Sequence, residues 1–363
     1  MEKKTIDRRA FLKDSALALG ALGLGGMSTA ACKQSPKTAP AKDIPGTLKF
    51  RPDGKFKIVQ FTDIHASEDH EQNRHSYDIM NSLLDVEQPD LVMYTGDFGN
   101  GDDIYDRLVG FASSRGIPCA VVLGNHEPED ENEREAVLDY FANLPGCLNV
   151  RKDEETSKLP GAGNQIIPIY SSADETKKGA VLYLFDSHCD NHLPQYKEHA
   201  DWIRPEQIDW YVRHSKALTA ENGGSPLPAL AFFHIPLPEY GEAWTDPQYK
   251  NMGWRIEPEC CPPVNSGLFS AFVECGDVKG VFCGHDHDND YVALKDGIAL
   301  GYGRFSGGLA AYHTLCRGCR VIELSEGSTV FDTWTRMENT RMLYRITVPY
   351  SFTSDDPQYK PRP

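Results

Sequence analysis

The feature that most constrains the fold of this sequence is a repeated pattern in which a short apolar run ends abruptly in a cluster of Asp, His or Asn. Runs of about four to eight residues rich in Val, Ile, Leu and Phe are typical of strands buried on both faces. The pattern therefore predicts a sheet whose strands each bring polar side chains to one edge. The runs that carry it are residues 56–61, 91–94, 120–123, 181–185, 229–233 and 280–283.

Segments with helical spacing separate these runs. Apolar side chains share one face of residues 76–87, and a second helical pattern begins at Pro205, a residue type favoured in the first turn of a helix. Strands that alternate with helices predict an α/β fold with a mainly parallel or mixed sheet covered on both faces. Ligands of such folds bind at the carboxyl ends of the strands, where the polar clusters lie.

The pattern changes at residue 291. From there the chain has strand-like segments at 291–294, 320–324 and 329–334, with glycine-rich turns between them. We expect these segments to form a second sheet that packs on the first within one domain.

The first 32 residues have the pattern of an export signal. Basic residues, among them Arg8 and Arg9, precede a weakly apolar stretch at 16–26 that is too short to span a bilayer. Residues 7–13 resemble a bacterial twin-arginine signal. We therefore expect an exported protein of the bacterial periplasm or cell envelope.

The end of this signal has two alternative interpretations. Residues 29–32 resemble a lipoprotein cleavage box, which would anchor the protein to a membrane through a lipid on Cys32. The other alternative is ordinary signal-peptidase cleavage. After the signal we expect a flexible linker at 33–47, a folded domain at 48–350 and a polar C-terminal tail at 351–363.

The acidic balance of the chain restricts its partners. The 363 residues include 37 Lys and Arg against 53 Asp and Glu, a formal net charge of −16. Because duplex nucleic acid attracts basic surfaces, we expect no binding to it. An acidic chain still binds anionic substrates where metal cations supply the positive charge.

Cysteine usage leaves the redox question open. Beyond Cys32 the sequence has nine cysteines, an odd number whose pairing the sequence does not fix. Cys119 and Cys283 lie inside apolar runs, which favours buried small hydrophobic residues. For Cys316 and Cys319 a structural role is favoured over redox or zinc chemistry, because no second ligand pair lies at zinc-finger spacing.

The polar clusters contain seven side chains with metal-ligand chemistry. Mixed oxygen and nitrogen donors suit Fe, Mn or Zn, whereas Ca and Mg prefer oxygen-only shells. Two ions fit the set better than one, since a carboxylate can bridge two cations about 3.5–4 Å apart and the pair can clamp an in-line displacement at phosphorus. His126, next to Asn125, is in position to face a substrate. The seven candidate ligands are Asp63, His65, Asp97, Asn125, His234, His285 and His287.

The order and spacing of these residues resemble those of the calcineurin-like metallophosphoesterases. Five motifs occur in family order over residues 57–288, about two thirds of the chain. Residues 277–290 further resemble the branch related to the purple acid phosphatases. The motifs are Asp63-x-His65, Gly96-Asp97, Gly124-Asn125-His126-Glu127, His234 and Gly284-His285-x-His287.

One position departs from that branch. Purple acid phosphatases have a tyrosine three residues after the aspartate that corresponds to Asp97, where this sequence has Asn100. His65 fills a ligand position that those enzymes do not use. We therefore expect no tyrosinate-to-iron colour in this protein.

The resemblance implies a four-layer α/β/β/α sandwich of two mixed sheets and a pair of metal ions. It implies that Asp97 bridges the ions, that a hydroxide shared by them attacks phosphorus, and that His126 stabilises or protonates the leaving oxygen. By the resemblance, the first ion would be held by Asp63, His65, Asp97 and His287, and the second by Asp97, Asn125, His234 and His285.

These observations predict an exported phosphoesterase that acts on phosphate monoesters, either small molecules or phosphoproteins. The alternatives are a phosphodiesterase or nucleotide pyrophosphatase, and a surface protein that binds metal or phosphate without hydrolysis. Asp286 is expected to hydrogen-bond beside the ligands rather than to bind metal. Three details keep two alternatives each: Glu127 as a helix cap or a ligand, His188 as a substrate contact or a loop residue, and residues 238–264 as a lid or a packed loop.

Overall fold

The computed structural model describes residues 44–67, 70–128, 130–191, 193–196, 200–308 and 316–352. The predicted export signal at 1–32, which ends at Cys32, and most of the predicted linker and tail lie outside these residues. Among the described helices, none has both the length and the hydropathy that crossing a membrane requires.

Short strands and helices alternate along most of the described chain. The helices are α1 (His70–Glu87), α2 (Asp102–Ser113), α3 (Glu131–Asn143), α4 (Pro205–Glu221), α5 (Glu239–Thr245) and α6 (Leu268–Cys275), with 3₁₀ turns at Thr156–Lys158 and Pro194–Tyr196. The strands are β1 (Leu48–Lys49), β2 (Lys55–Phe61), β3 (Leu91–Thr95), β4 (Cys119–Val122), β5 (Gln165–Tyr170), β6 (Lys178–Leu184), β7 (Ala229–Phe232), β8 (Lys250–Met252), β9 (Val278–Cys283), β10 (Val292–Lys295), β11 (Ile298–Tyr302), β12 (Gly318–Ser325), β13 (Phe331–Met337) and β14 (Met342–Val348).

The strands form two mixed sheets. One sheet has eight strands in the order β1-β5-β6-β7-β9-β11-β10-β8, and its central strands β6, β7, β9 and β11 are parallel. The other has six strands in the order β14-β13-β12-β2-β3-β4, in which β2, β3 and β4 are parallel and the rest antiparallel.

The central strands of each sheet are buried on both faces, because each sheet packs against the other sheet on one side and against helices on the other. In β2, Phe56 and Ile58 pack between the sheets, whereas Val59 and Phe61 pack under helices α1 to α3. This alternation follows from the two-residue period of a strand and explains why the run is continuously apolar. Helices α4 to α6 cover the eight-stranded sheet in the same way. The predicted four-layer α/β/β/α sandwich is confirmed.

The predicted division of strands between the sheets is wrong. The six apolar runs were expected in one sheet, but three of them, β2 to β4, pair with the late strands β12 to β14, and β6, β7 and β9 form the centre of the other sheet. The strand at 291–294 joins the eight-stranded sheet instead of the second sheet. An apolar run reports burial on both faces but carries no information on which strand lies beside it.

The polar clusters nevertheless meet, because the carboxyl ends of both parallel groups lie at the same end of the sandwich. The side chain of Gln60 joins the two sheets there: its Nε2 donates to Thr95 Oγ1 at 2.9 Å and to the carbonyl of Cys283 at 3.0 Å. A parallel bridge between Thr62 and Phe305 adds a second link. Loops from the two sheets therefore build one site.

Candidate metal centre

All seven predicted ligands lie in loops that directly follow strands. Asp63 and His65 follow β2, Asp97 follows β3 and Asn125 follows β4, all from the six-stranded sheet. The eight-stranded sheet contributes His234 after β7, and His285 and His287 after β9.

One group of ligands comprises Asp63, His65, Asp97 and His287. Each offers one donor atom, and these four atoms all lie within 4.8 Å of one another. The Nε2 atoms of His65 and His287 are 3.0 Å apart. Asp97 Oδ2 lies 3.4 Å from His65 Nε2, and Asp63 Oδ1 lies 3.4 Å from His287 Nε2. This is the first ligand set implied by the family resemblance.

A second group surrounds the side-chain oxygen of Asn125. Asn125 Oδ1 lies 3.1 Å from His234 Nε2 and 2.8 Å from His285 Nδ1. His234 Nε2 is also 3.3 Å from Asp97 Oδ2. The same carboxylate oxygen therefore contacts a ring nitrogen of each group, which is the position that a bridging ligand requires. That each of these residues binds metal stays a prediction.

The pKa shifts of the site agree with a site that binds cations. Burial raises the pKa of Asp63 to about 7, and it lowers the pKa of His65 to about 4. Burial would also lower the pKa of His234, but the Asp97 carboxylate outweighs it and raises the value to about 10. The raised pKa values mean that Asp63 and His234 retain protons near neutral pH, because several acceptor atoms lie close together. A bound cation would replace these protons. Cations of the Fe, Mn or Zn type suit such a set of oxygen and nitrogen donors.

Hydrogen bonds outside the cluster orient His234. Its Nδ1 donates to the carbonyl of Thr95 at 2.7 Å, which directs Nε2 toward Asp97 and Asn125, where a cation would replace its proton. Ser187 Oγ accepts the backbone N–H groups of His234 and of the next residue at 3.3 and 3.0 Å. The ring is 0% exposed, so its orientation is fixed from all sides.

The ligand loops turn sharply where the strands end. Four predicted ligands have left-handed backbone conformations: Asp63 (φ 51°), His65 (45°), Asp97 (54°) and His285 (78°). Such a conformation costs a non-glycine residue on the order of 1–3 kcal/mol, and it persists only where the surrounding structure holds it. We attribute it to the need to turn these side chains from the strand direction toward a common point.

Glu127 connects two of these loops, a role that the sequence did not reveal. The residue is 1% exposed, and its Oε2 accepts the backbone N–H groups of Asp97 at 3.0 Å and Gly124 at 2.6 Å. Its Oε1 accepts that of Phe98 at 2.9 Å. The helix-cap alternative is wrong, because Asp130 caps α3. A glutamate directly after Asn-His in a turn is a weak signal, because a helix cap has the same sequence context.

Arg134 of α3 supports the loop that follows β4, and the sequence did not reveal this role either. Its Nη1 donates to the carbonyl of Gly124 at 2.9 Å, and its guanidinium forms a bidentate pair with Asp186 at 2.6 and 3.2 Å. Burial would raise the pKa of Asp186, but the Arg134 charge outweighs it and lowers the value to about 2. A charge pair of this kind ties the β4 loop to the β6 loop.

The remaining open details resolve toward structural roles. His188 is 9% exposed, and its Nε2 lies 3.0 Å from Gln207 Oε1, which favours the loop alternative over substrate contact. Asp286 accepts hydrogen bonds from the hydroxyl of Tyr302 at 2.7 Å and from the N–H of Cys260 at 3.1 Å. These contacts agree with the expected hydrogen-bonding role of Asp286.

Residues 238–264 pack against the body, as the second of the two alternatives stated. Trp244 and Tyr291 have ring centroids 4.6 Å apart. Asn289 lies in the loop that follows His287, and its Oδ1 accepts a hydrogen bond from the backbone N–H of Ile256 at 2.9 Å. The segment thereby supports the ligand loop after β9.

His126 and Asn100 lie at the open side of the site. The His126 side chain is exposed, and its ring centroid is 5.1 Å from that of His65. Its backbone is fixed at both ends, since its N–H donates to Asp97 Oδ1 at 3.0 Å and its carbonyl accepts from Asn100 Nδ2 at 3.1 Å. The ring therefore faces solvent beside the ligands, where a substrate would arrive.

Replacing Gly124 with alanine is expected to disrupt the centre. A Cβ at this position would lie 2.2 Å from Asp97 Oδ1, so the carboxylate between the two groups must move. We expect most bound metal to be lost and the free energy of unfolding to fall by about 1–3 kcal/mol, as is usual for overpacking. Metal analysis and thermal unfolding measure both effects.

The matched control is Gly110→Ala in α2. Among the described residues, no heavy atom outside the adjacent backbone of α2 lies within 4 Å of a Cβ there, and alanine favours helix, so we expect unchanged metal content and equal or higher stability. Full metal content in the Gly124→Ala protein would contradict the assigned packing.

Several known proteins are similar to this chain in sequence, and a solved structure is similar to it in fold. A sequence profile described as calcineurin-like phosphoesterase matches residues 56–289. The chain is 32% identical over 336 residues to probable inactive purple acid phosphatase 14 of Arabidopsis thaliana, covering 82% of each protein. It is 32% identical over 329 residues to phosphatase DCR2 of Saccharomyces cerevisiae, covering 81% of this chain and 55% of that protein. The Arabidopsis relative confirms the resemblance to the purple acid phosphatase branch.

A solved structure has the same fold at low sequence identity. A dimetal phosphatase from Danio rerio superposes with a TM-score of 0.53 and 13% identity, covering 82% of this chain and 99% of that one. The profile match spans more than half of the chain and includes every candidate ligand. The chain belongs to the calcineurin-like phosphoesterase family.

Proposed function

We propose that this protein is a hydrolase of phosphate esters, with monoesters as its preferred substrates, and that it works with two ions of the Fe, Mn or Zn type. The observation that carries the proposal is the position of Asp97 Oδ2, 3.4 Å from a ring nitrogen of His65 and 3.3 Å from one of His234. One carboxylate oxygen thus lies between the two groups of predicted ligand atoms.

The residues divide into two shells around that oxygen. Asp63, His65 and His287 would bind one ion together with Asp97. The second group described above would bind the other ion, also together with Asp97. When bound, two such ions polarise the phosphoryl group and provide a nucleophile at neutral pH. The second group consists of Asn125, His234 and His285.

His126 would act as a proton donor at the open side of the site, a role that side chains bound to metal cannot fill. Its exposed ring is held beside His65 by backbone hydrogen bonds, so the ring itself is free to contact the leaving oxygen of an ester. Transfer of a proton from the ring to that oxygen neutralises the charge that develops as the phosphorus–oxygen bond breaks.

A binding protein without hydrolysis is the second candidate. The names of several relatives in Arabidopsis contain the word inactive, as in probable inactive purple acid phosphatase 29, 34% identical over 286 residues. The present chain has all seven predicted ligands and His126 at one site, which favours catalysis. Export, the Cys32 lipid anchor and the choice between small-molecule and phosphoprotein substrates stay predictions from the sequence.

Metal analysis combined with one chromogenic assay tests the proposal. We expect about two ions per chain and hydrolysis of p-nitrophenyl phosphate in preference to its bis-ester. Chelation is expected to abolish turnover and to lower the melting temperature, because an ion at 100 times its dissociation constant stabilises the fold by about 2.7 kcal/mol. Restoring the ions should recover both.

The other outcomes separate the rival functions. Two bound ions without turnover on any phosphate ester would support the binding protein. Preference for the bis-ester would support the phosphodiesterase. A chain that takes up no Fe, Mn or Zn would overturn the metal centre itself.

A further inference from the structure

We propose that Cys119 and Cys147 form a disulfide bond in the mature protein. The two residues lie directly opposite each other in an isolated parallel β-bridge between β4 and the loop after α3. Both are free thiols in this structure. The proposal is independent of the proposed function, since it concerns the far end of β4 from the metal centre.

The backbone holds this pair in register. The N–H of Cys119 donates to the carbonyl of Gly146 at 2.8 Å, and the N–H of Leu148 donates to the carbonyl of Cys119 at 2.8 Å. Residues paired in this way have Cα atoms separated by about the strand spacing, 4.7–4.9 Å. That spacing falls within the range of about 4.4–6.8 Å that disulfides occupy. No movement of the backbone is therefore needed.

The two thiols differ in exposure and in ease of ionisation. The neighbouring Cys147 sulfur and burial raise the pKa of Cys119, whereas the neighbouring Cys119 sulfur lowers the pKa of Cys147, whose thiol donates to Asn149 Oδ1 at 3.3 Å. Cys119 is 0% exposed, whereas Cys147 is half-buried. Cys147 is thus the thiol that solvent reaches first and the more readily ionised of the two.

These properties assign an order to the reaction. The Cys147 thiolate attacks a low-molecular-weight disulfide such as oxidised glutathione, forms a mixed disulfide and releases one thiolate. Cys119 then attacks the Cys147 sulfur, and its proton passes to the second thiolate as that group leaves. Two protein thiols are oxidised and one external disulfide is reduced to two thiols.

The bond would close a loop that contains the catalytic segment. Residues 119–147 include Asn125, His126 and Glu127 as well as α3. A disulfide restricts the unfolded chain more than the folded one, so the expected effect is higher stability without a change in the site. Oxidising compartments, where the predicted export would deliver the chain, favour such bonds.

Peptide mapping of the full chain tests the proposal directly. The purified protein is incubated with oxidised glutathione, its free thiols are blocked by alkylation, and it is digested with trypsin without reduction. Cleavage after Arg115, Arg134 and Arg151 places Cys119 in peptide 116–134 and Cys147 in peptide 135–151, each with a single cysteine. We expect one species with the summed mass of these peptides less two hydrogens, which disappears on reduction.

Two variants complete the test. Cys147→Ser should lose the linked species, and Cys275→Ser, a half-buried control, should retain it. A reducing agent should lower the melting temperature of the wild-type protein and leave that of Cys119→Ala/Cys147→Ala unchanged. Recovery of both peptides in alkylated form after oxidation, or linkage of either cysteine to a different one, would overturn the proposal even if the variants fail to fold.

Discussion

Replacing Asp97 with asparagine should remove most of the bound metal and lower kcat/KM by at least ~10³-fold. The amide keeps the shape of the side chain and can still accept the N–H of His126 through Oδ1. It cannot carry the negative charge that Oδ2 presents to both ligand groups. Each tenfold loss corresponds to about 1.36 kcal/mol, so this effect needs about 4 kcal/mol, within the several kcal/mol that metal-assisted charge stabilisation supplies.

Elemental analysis and steady-state kinetics measure the two losses together. Asp139→Asn is the matched control, because its carboxylate lies on the surface of α3 and is 46% exposed. The control should keep both metal and rate. An Asp97→Asn protein with two ions and the wild-type rate would remove the bridging role from this residue.

Replacing His126 with alanine is expected to separate metal binding from turnover. The ring is exposed at the rim, with its centroid 5.1 Å from that of His65, and is not one of the seven predicted ligands, so both ions should stay bound. Loss of a positioned proton donor typically lowers the rate by about 10²–10⁴-fold. The decrease should appear in kcat more than in KM, because the ligands that bind the phosphoryl group are unchanged.

The control for this variant is His75→Ala, an exposed histidine on α1. It should have no effect on kcat. An unchanged kcat in the His126→Ala protein would remove the role assigned to His126, and simultaneous loss of metal would show that the ring supports the ligands instead.

The sequence predicted which residues converge at the site but not which strands share a sheet, because the two depend on different information. Residues such as Asp97 and His285 follow apolar runs directly, and the carboxyl ends of parallel strands converge whichever sheet contains them. Strand partners depend instead on packing between distant segments. The pairing of β12 with β2 joins residues about 260 positions apart, for example Ile322 and Ile58, and no local pattern encodes it.

The supporting residues were missed for a related reason. Glu127 and Arg134 act through hydrogen bonds to the backbone of other loops, so their role depends on where Gly124 and Asp97 lie in space. A charged residue in a turn or on a helix is ordinarily solvated, and its sequence context does not distinguish the buried case. Only the assembled loops reveal these contacts.

The most direct test of the account is the position of metal in a crystal of the loaded protein, located by anomalous scattering at the absorption edge of each metal. We predict two peaks about 3.5–4 Å apart with the Asp97 carboxylate between them. His65 and His287 should contact one ion, and His234 and His285 the other. A single peak, or two peaks of which only one contacts Asp97, would contradict it.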